Sequence, residues 1–244
     1  MLDETAQPRI LIIDIETKLF EAWLFGIRDQ YVGHKQIKDD YGGRLIHMVG
    51  MKWAGQRQTR VLTEWDDGYE GMMQGTHDAL CAADAVVGFN TIAFDAPKIE
   101  GQFALLGMDL PPKSTHIDLY KTVKKMGFVS SKLDYVAPLF GLGGKIKHDG
   151  MEMWKAAAQG CPKARARMKR YCAGDVRLTE DLFHRLKPYI RNLPRLRSGG
   201  KCGRLGCGSD NVQHRGYNYS ALFKTERIFC NDCRLWSEGR RTKA

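Results

Sequence analysis

The chain has 244 residues, of which 43% are hydrophobic and five are tryptophan, and it carries a formal net charge of +10. That length suits one α/β domain of ordinary size with a small appendage, and the apolar content excludes an intrinsically disordered chain. No apolar run approaches the roughly 20 residues of a membrane span, and Met1-Leu-Asp-Glu-Thr-Ala lacks the basic and apolar regions of a signal peptide. A soluble, cytoplasmic protein with no membrane partner is expected.

Residues 9–15, Arg-Ile-Leu-Ile-Ile-Asp-Ile, form a short apolar run rich in β-branched side chains, the pattern of a buried central strand. Residues 45–54 and 59–65 read as two further strands about a turn at 55–58. A helix over 69–85 and a short strand over 86–90 follow. Residues 92–106 read as a helix that tolerates Pro97 in its first turn, and 115–120 as another strand. The stretches 133–140 and 151–190 are mostly helical, with breaks near 141–150 and 160–162. This order predicts an α/β layer fold around a mixed sheet. Residues 191–200 look like a basic linker, which divides the chain into a domain over 1–190 and a small module over 201–244. The charge is uneven: residues 188–244 hold 12 Lys or Arg against 4 Asp or Glu. A basic tail points to a polyanion, most often nucleic acid, the alternative being a merely solvated tail.

Four carboxylates stand at the margins of apolar elements, where unpaired charge is disfavoured. Asp14 and Glu16, two apart on the first strand, project to one side of the sheet. Two like charges so close repel unless a cation lies between them. Asp95 leads the apolar stripe of Ile99, Phe103 and Leu106 on its helix. Asp175 borders the buried stripe of a later helix, one turn beyond Tyr171 on the same face. Gly174, inside that helix, costs about 1 kcal/mol relative to Ala, which predicts a close approach to the backbone there. Each group has a plainer reading: an exposed strand end, a carboxylate favoured by the helix dipole, a surface Tyr–Asp pair. Together they suit hard divalent cations, which take oxygen ligands. Cys81, Cys161 and Cys172 read as small buried hydrophobes, and His148 and His184 as surface or structural histidines.

Ile12-Ile-Asp14-Ile-Glu16-Thr17 resembles the first motif of the DEDD superfamily of 3′–5′ exonucleases. Gly88-Phe-Asn90-Thr-Ile-Ala-Phe94-Asp95-Ala-Pro97 resembles the second, and Tyr171-Cys-Ala-Gly-Asp175-Val the third. A tyrosine four residues before the last aspartate, with Arg170 where a histidine would otherwise stand, is similar to the tyrosine subclass. The likeness covers roughly residues 8 to 190. Trp23-Leu-Phe-Gly and His116-Ile-Asp118-Leu, followed by Leu133-Asp-Tyr, look like stand-alone exonucleases of tailed bacteriophages, which would place the protein in a bacterial host cell. They are also similar to the exonuclease part of family B DNA polymerases. The resemblance implies an RNase-H-like fold and two catalytic Mg²⁺ or Mn²⁺ ions. Asp14, Glu16 and Asp175 would hold one ion. Asp14 would share the other with substrate phosphate oxygens, supported by Asp95. Tyr171 would orient the attacking water, and Thr17, Asn90 and Phe94 would contact the terminal nucleotide. The substrate implied is single-stranded DNA, with RNA as the alternative. A non-catalytic nucleic-acid-binding protein on the same fold is the rival from another class.

Cys202-x4-Cys207 and Cys230-x2-Cys233, 22 residues apart, supply the thiolates of a structural zinc site. About 45 residues bury too little core to fold without such a staple. Gly203, Gly206 and Gly208 suit tight turns, and 212–219 and 222–229 read as a hairpin. The module resembles a zinc ribbon. Its basic residues Arg215, Lys224, Arg227, Arg234, Arg240 and Arg241 interleave with Tyr217, Tyr219, Phe223 and Trp236. That mixture suits single-stranded nucleic acid, and a replication or repair protein is the alternative partner.

Overall fold

The computed structural model describes residues 9–26, 28–112, 114–147, 150–190, 201–203, 207–219 and 223–243. They fall into two compact units, one within residues 10–185 and one that takes in the residues from 186 onward. The expected linker at 191–200 lies outside the described residues, as does His148.

The larger unit is built on a five-stranded sheet of order β3-β2-β1-β4-β5. Its strands are β1 (Ile10–Thr17), β2 (Ile46–Trp53), β3 (Arg60–Thr63), β4 (Ala85–Gly88) and β5 (Thr115–Asp118). The first three are antiparallel neighbours; β4 and β5 run parallel to β1. The mixed sheet expected from the element order is thus present. Helices α1 (Tyr69–Cys81) and α2 (Asp95–Leu105) cover one face. Leu11, Ile13 and Ile15 pack there with Val49, Met51, Met72, Met73, Ile99 and Phe103. Helices α5 (Met151–Ala158) and α6 (Pro162–Leu186) follow α3 (Leu119–Lys124) and α4 (Leu133–Leu139). On the other face Met48 packs with Met153, Ala157, Met168 and Cys172. Burial on both faces explains why β1 reads as a continuous apolar run rather than an alternating one.

Two departures from the expected elements have local causes. Helix α2 begins at Asp95, not 92, because residues 91–94 form turns. The short α3 was not expected; it starts where the Asp118 carboxylate caps the Tyr120 amide at 3.0 Å.

The smaller unit contains an antiparallel sheet of order β6-β7-β8, with β6 Val212–Tyr219, β7 Phe223–Cys230 and β8 Trp236–Lys243. The expected hairpin is there. The third strand was missed, because Trp236-Ser-Glu-Gly-Arg-Arg-Thr-Lys carries almost no apolar alternation.

Candidate active site and metal centres

β1 presents Asp14 and Glu16 half-buried on one face, while Ile13 and Ile15 are buried on the other. The pairing of β1 with β4 stops at Ile12, so the Ile15 amide has no strand partner on that side. Asp95 Oδ1 accepts it at 3.1 Å. Asp95 is the first residue of α2 and 3% exposed. It therefore ties the start of α2 to the carboxylate end of β1, so the structural reading of this residue holds alongside any catalytic one. The β1–β2 register shifts between Glu16 and Thr17, where β2 carries the extra residue His47. Thr17 follows directly, at the strand's end.

Helix α6 brings the remaining groups. Gly50 lies opposite Asp14 in the β1–β2 register. A Cβ at Gly50 would fall 2.6 Å from Cys172 Sγ and 2.8 Å from Val176 Cγ2, so glycine is what lets α6 settle this close to the sheet. Tyr171 and Asp175 project one turn apart toward Lys145. The lysine Nζ lies 2.5 Å from Asp175 Oδ2 and 3.2 Å from Tyr171 Oη. The close approach expected at Gly174 is made by the neighbouring loop residue Ile146, whose Cδ1 lies 2.7 Å from where a Cβ would be. Trp154 of α5 packs edge-on against Tyr171 at 5.8 Å.

Asp14 and Glu16 feel the acidic groups around them. Burial first, then the charges of Glu16, Asp95 and Asp175, push the Asp14 carboxyl well above its ordinary range, with Lys145 opposing. Burial, then Asp175, raises Glu16 to about 8, again against Lys145. Burial raises Asp95 to about 6, partly offset by the Ile15 amide. Asp175 Oδ1 is buried and accepts no hydrogen bond from the described residues. Carboxylates this crowded, with one oxygen orphaned, are a donor set that fits hard divalent cations. Among the described residues, the ligand atoms that all lie within 4.8 Å of one another here are those of Asp14, Glu16 and Cys172; neither Asp95 nor Asp175 joins that group. Burial, then the neighbouring carboxylates, push the Cys172 thiol up, so it remains the small buried hydrophobe read from the sequence; Cys81 and Cys161, read the same way, are instead exposed.

Asn90 and Phe94 sit in the turns leading to α2. Asn90 has φ 65°, and its amide donates to Asp118 Oδ1 at 2.9 Å; the Ile92 amide donates to Oδ2 at 3.3 Å. Asp118 thus organises the segment that carries Asn90 and Phe94, a role the sequence did not show beyond the likeness of His116-Ile-Asp118-Leu to stand-alone exonucleases. Phe94 is 40% exposed, with Lys98 Nζ 3.4 Å from its ring centroid. Lys145 was missed altogether, because it lies in a glycine-rich break with no periodic pattern. His184 is half-exposed, 3.9 Å from Glu180, and apart from this cluster. An apolar cleft of about 600 Å³ lined by Ile13, Val86, Ile99 and Phe103 lies on the opposite face of the sheet from Asp14 and Glu16.

In the smaller unit the Sγ atoms of Cys202, Cys207, Cys230 and Cys233 all lie within 4.8 Å of one another. Cys202–Cys233 and Cys207–Cys230 are each 3.7 Å apart. That is far too long for a disulfide but matches the edge of about 3.8 Å that a zinc–sulfur distance of roughly 2.3 Å gives a tetrahedron. Burial raises the Cys230 thiol, but amide donors at Cys233 and Asp232 and the neighbouring thiols outweigh it and bring it down to about 7. Such a thiol gives up its proton readily to a metal. Gly208, at φ 61°, makes the turn after Cys207; Gly206 is outside the described residues. Asp232 braces the turn by accepting from Ser209 and Asn211.

The chain belongs to the RNase H superfamily, whose family model matches residues 11–187. Among solved structures, the family B DNA polymerase of the hyperthermophilic archaeon Pyrobaculum calidifontis is similar, with a TM-score of 0.54 and 22% identity. The match covers 75% of this chain and 25% of the polymerase chain, and it is a likeness of fold. No curated protein matches. Among the described residues no helix is long and apolar enough to cross a membrane.

Proposed function

We propose that the chain is a two-metal-ion 3′–5′ exonuclease of the tyrosine DEDD subclass, acting on single-stranded DNA and releasing nucleoside monophosphates. The observation that carries this reading is the convergence of Asp14, Glu16, Asp95 and Asp175 from three elements, with Asp175 Oδ1 left buried and unpartnered. Asp14, Glu16 and Asp175 would hold one ion; Asp14, supported by Asp95, would hold the second. Bound Mg²⁺ or Mn²⁺ supplies Lewis acidity for the attacking water and for the leaving oxygen. Burial and the charge of Asp175 raise the Tyr171 phenol to about 12. It is therefore protonated at neutral pH and orients water as a hydrogen-bonding group, not as a base. Lys145, kept cationic by Asp175 against the effect of its own burial, fixes both side chains. Thr17, Asn90 and Phe94 contact the terminal nucleotide. The polymerase likeness supports the reading at the level of fold.

Incubating matched 5′-labelled DNA and RNA oligomers with Mg²⁺ tests it. A ladder shrinking from the 3′ end, faster for DNA, is expected. Faster RNA shortening reassigns the substrate, and no shortening with either ion favours a binding protein.

The raised carboxyls add a pH signature. Glu16 at about 8 and Asp95 at about 6 lie above their unfolded values. At these two sites the metal-free folded chain therefore holds more protons than the unfolded chain, Glu16 doing so between about pH 4.5 and pH 8, and their contribution to stability falls as pH rises through that window. Metal binding needs the ionised carboxylates. Differential scanning fluorimetry should show millimolar Mn²⁺ raising Tm more at about pH 8 than at about pH 6. An equal or larger shift at the lower pH contradicts the assignment.

The domain plan is a nuclease domain over 1–190, a linker over 191–200 and a zinc ribbon over 201–244. The ribbon grips single-stranded substrate: Tyr217 and Tyr219 are exposed beside Lys224, and Arg227 stacks on Trp236 at 4.5 Å. Elemental analysis should find one zinc per chain, lost in a Cys230→Ser/Cys233→Ser variant; equal zinc in both would remove the site.

A further inference from the structure

Between β1 and β2 the chain makes an excursion that the carboxylate chemistry does not use. Its neck closes where the Lys18 amide donates to Leu45 O at 2.9 Å, two residues beyond Glu16. From there it extends as a two-legged arm. The Trp23 amide donates to Gln36 O and the Lys38 amide to Glu21 O, each at 2.8 Å, around an Ala22–Ile37 bridge. The Gln36 side chain stiffens the arm further, donating to Trp23 O at 3.2 Å and accepting from the Gly33 amide at 2.8 Å.

This braced arm holds its aromatic side chains in solvent. Trp23 is 70% exposed, Tyr31 92%, and Phe25 fully so. Rings of this size normally supply core burial, and several gathered on one protrusion mark an interaction site. Around them Arg28, Lys35 and Lys38 stand against Glu21 and Asp29; Lys38 pairs with Glu21 at 3.1 Å while its Nζ lies 4.4 Å from the Trp23 ring centroid. Flat π faces interleaved with cations match nucleobases joined by phosphates. A strand with its terminal phosphate at Asp14 and Glu16 meets the neck of the arm within a few residues of chain. A protein partner needs neither the cations nor this placement.

We propose that the arm over residues 19–38 is a stacking platform for the bases of a single-stranded nucleic acid, immediately upstream of the scissile end. The position of that end rests on the exonuclease reading above.

The test compares the full-length protein with a Trp23→Ala/Phe25→Ala/Tyr31→Ala variant. Fluorescence anisotropy, with Ca²⁺ in place of Mg²⁺ to hold turnover back, measures binding of a labelled oligothymidylate and of an equally long oligomer of abasic nucleotides. Stacking contributes about 1–3 kcal/mol per base, so the variant should bind oligothymidylate at least about tenfold more weakly. It should bind the abasic oligomer as wild type does, with an unchanged salt slope, since no phosphate contact is removed. Phe25→Trp should keep wild-type affinity, and an unchanged Tm certifies the fold. Equal loss on both oligomers, no loss on either, or no binding by wild type overturns the platform. Loss of self-association in the variant with unchanged DNA binding would reassign the arm to a second copy of the chain. Hydrolysis of the p-nitrophenyl ester of thymidine monophosphate, too small to reach the arm, separates the two readings. A wild type inactive on both ester and oligomers fails as a nuclease. Active wild type with unaltered variant binding sinks the arm alone.

Discussion

Asp14→Ala is expected to lower exonuclease turnover by at least about 10³-fold, some 4 kcal/mol of transition-state stabilisation, while leaving the fold intact. Asp14 stands at the centre of the acidic cluster: Glu16, Asp95 and Asp175 all act on its carboxyl. In the proposed mechanism it is the one side chain that would help hold both ions, so its loss would weaken the Lewis acidity supplied to both the attacking water and the leaving oxygen. The same substitution removes a source of like-charge repulsion from the metal-free protein. The variant should therefore melt no lower than wild type without divalent ions, and higher at about pH 8, where the repulsion is greatest. Tyr171→Phe should fall less, by about 10- to 100-fold, because a positioned hydroxyl is lost while the charge set stays. Single-turnover degradation of a 5′-labelled oligomer reads both. An Asp14→Ala variant that retains more than about a tenth of wild-type turnover would take the carboxylates out of the chemistry.

Much of this arrangement was legible because it depends on short-range periodicity. Two-residue alternation on β1 put Asp14 and Glu16 on one face, and 3.6-residue periodicity put Tyr171 above Asp175 and Asp95 at the head of the Ile99–Phe103 stripe. Cysteine spacing marked the thiolate cluster in the same way. What escaped was long-range or aperiodic. Lys145 reaches Asp175 across 30 residues of chain from a loop with no repeating pattern. Gly50 sits unremarked inside β2, and only its contact with Cys172 shows why no larger side chain fits. Gly174 signalled a close approach, but its partner, Ile146, was invisible without coordinates. Strand β8 was missed because an exposed ribbon strand lacks the apolar alternation that identifies strands against a core.

Lys52→Met should be the most destabilising single change outside the apolar core, at about 3–5 kcal/mol in urea unfolding. Lys52 on β2 and Glu180 on α6 are each 7% exposed and joined by a direct salt bridge, and Glu180 Oε1 also accepts the Gly55 amide at 2.8 Å. Removing the lysine leaves a buried carboxylate with one amide hydrogen bond and the His184 ring 3.9 Å away. Against a total stability of about 5–15 kcal/mol, that is about a fifth or more. The double variant Lys52→Met/Glu180→Leu should recover most of the loss, since an apolar pair of similar volume replaces the ions without burying a lone charge; recovery of less than half would mean that the pair is net stabilising. The pair clamps α6 to β2, and the same helix carries Tyr171 and Asp175 toward β1. Below its melting temperature Lys52→Met should nonetheless keep near-normal turnover, because Gly50 and Cys172 still set the local approach of helix to sheet. Asp14→Ala and Lys52→Met are thus opposite in kind. One abolishes chemistry in a fold that is no weaker, the other weakens the fold and leaves the chemistry, and a reversal of that pattern would show that the carboxylates were structural all along.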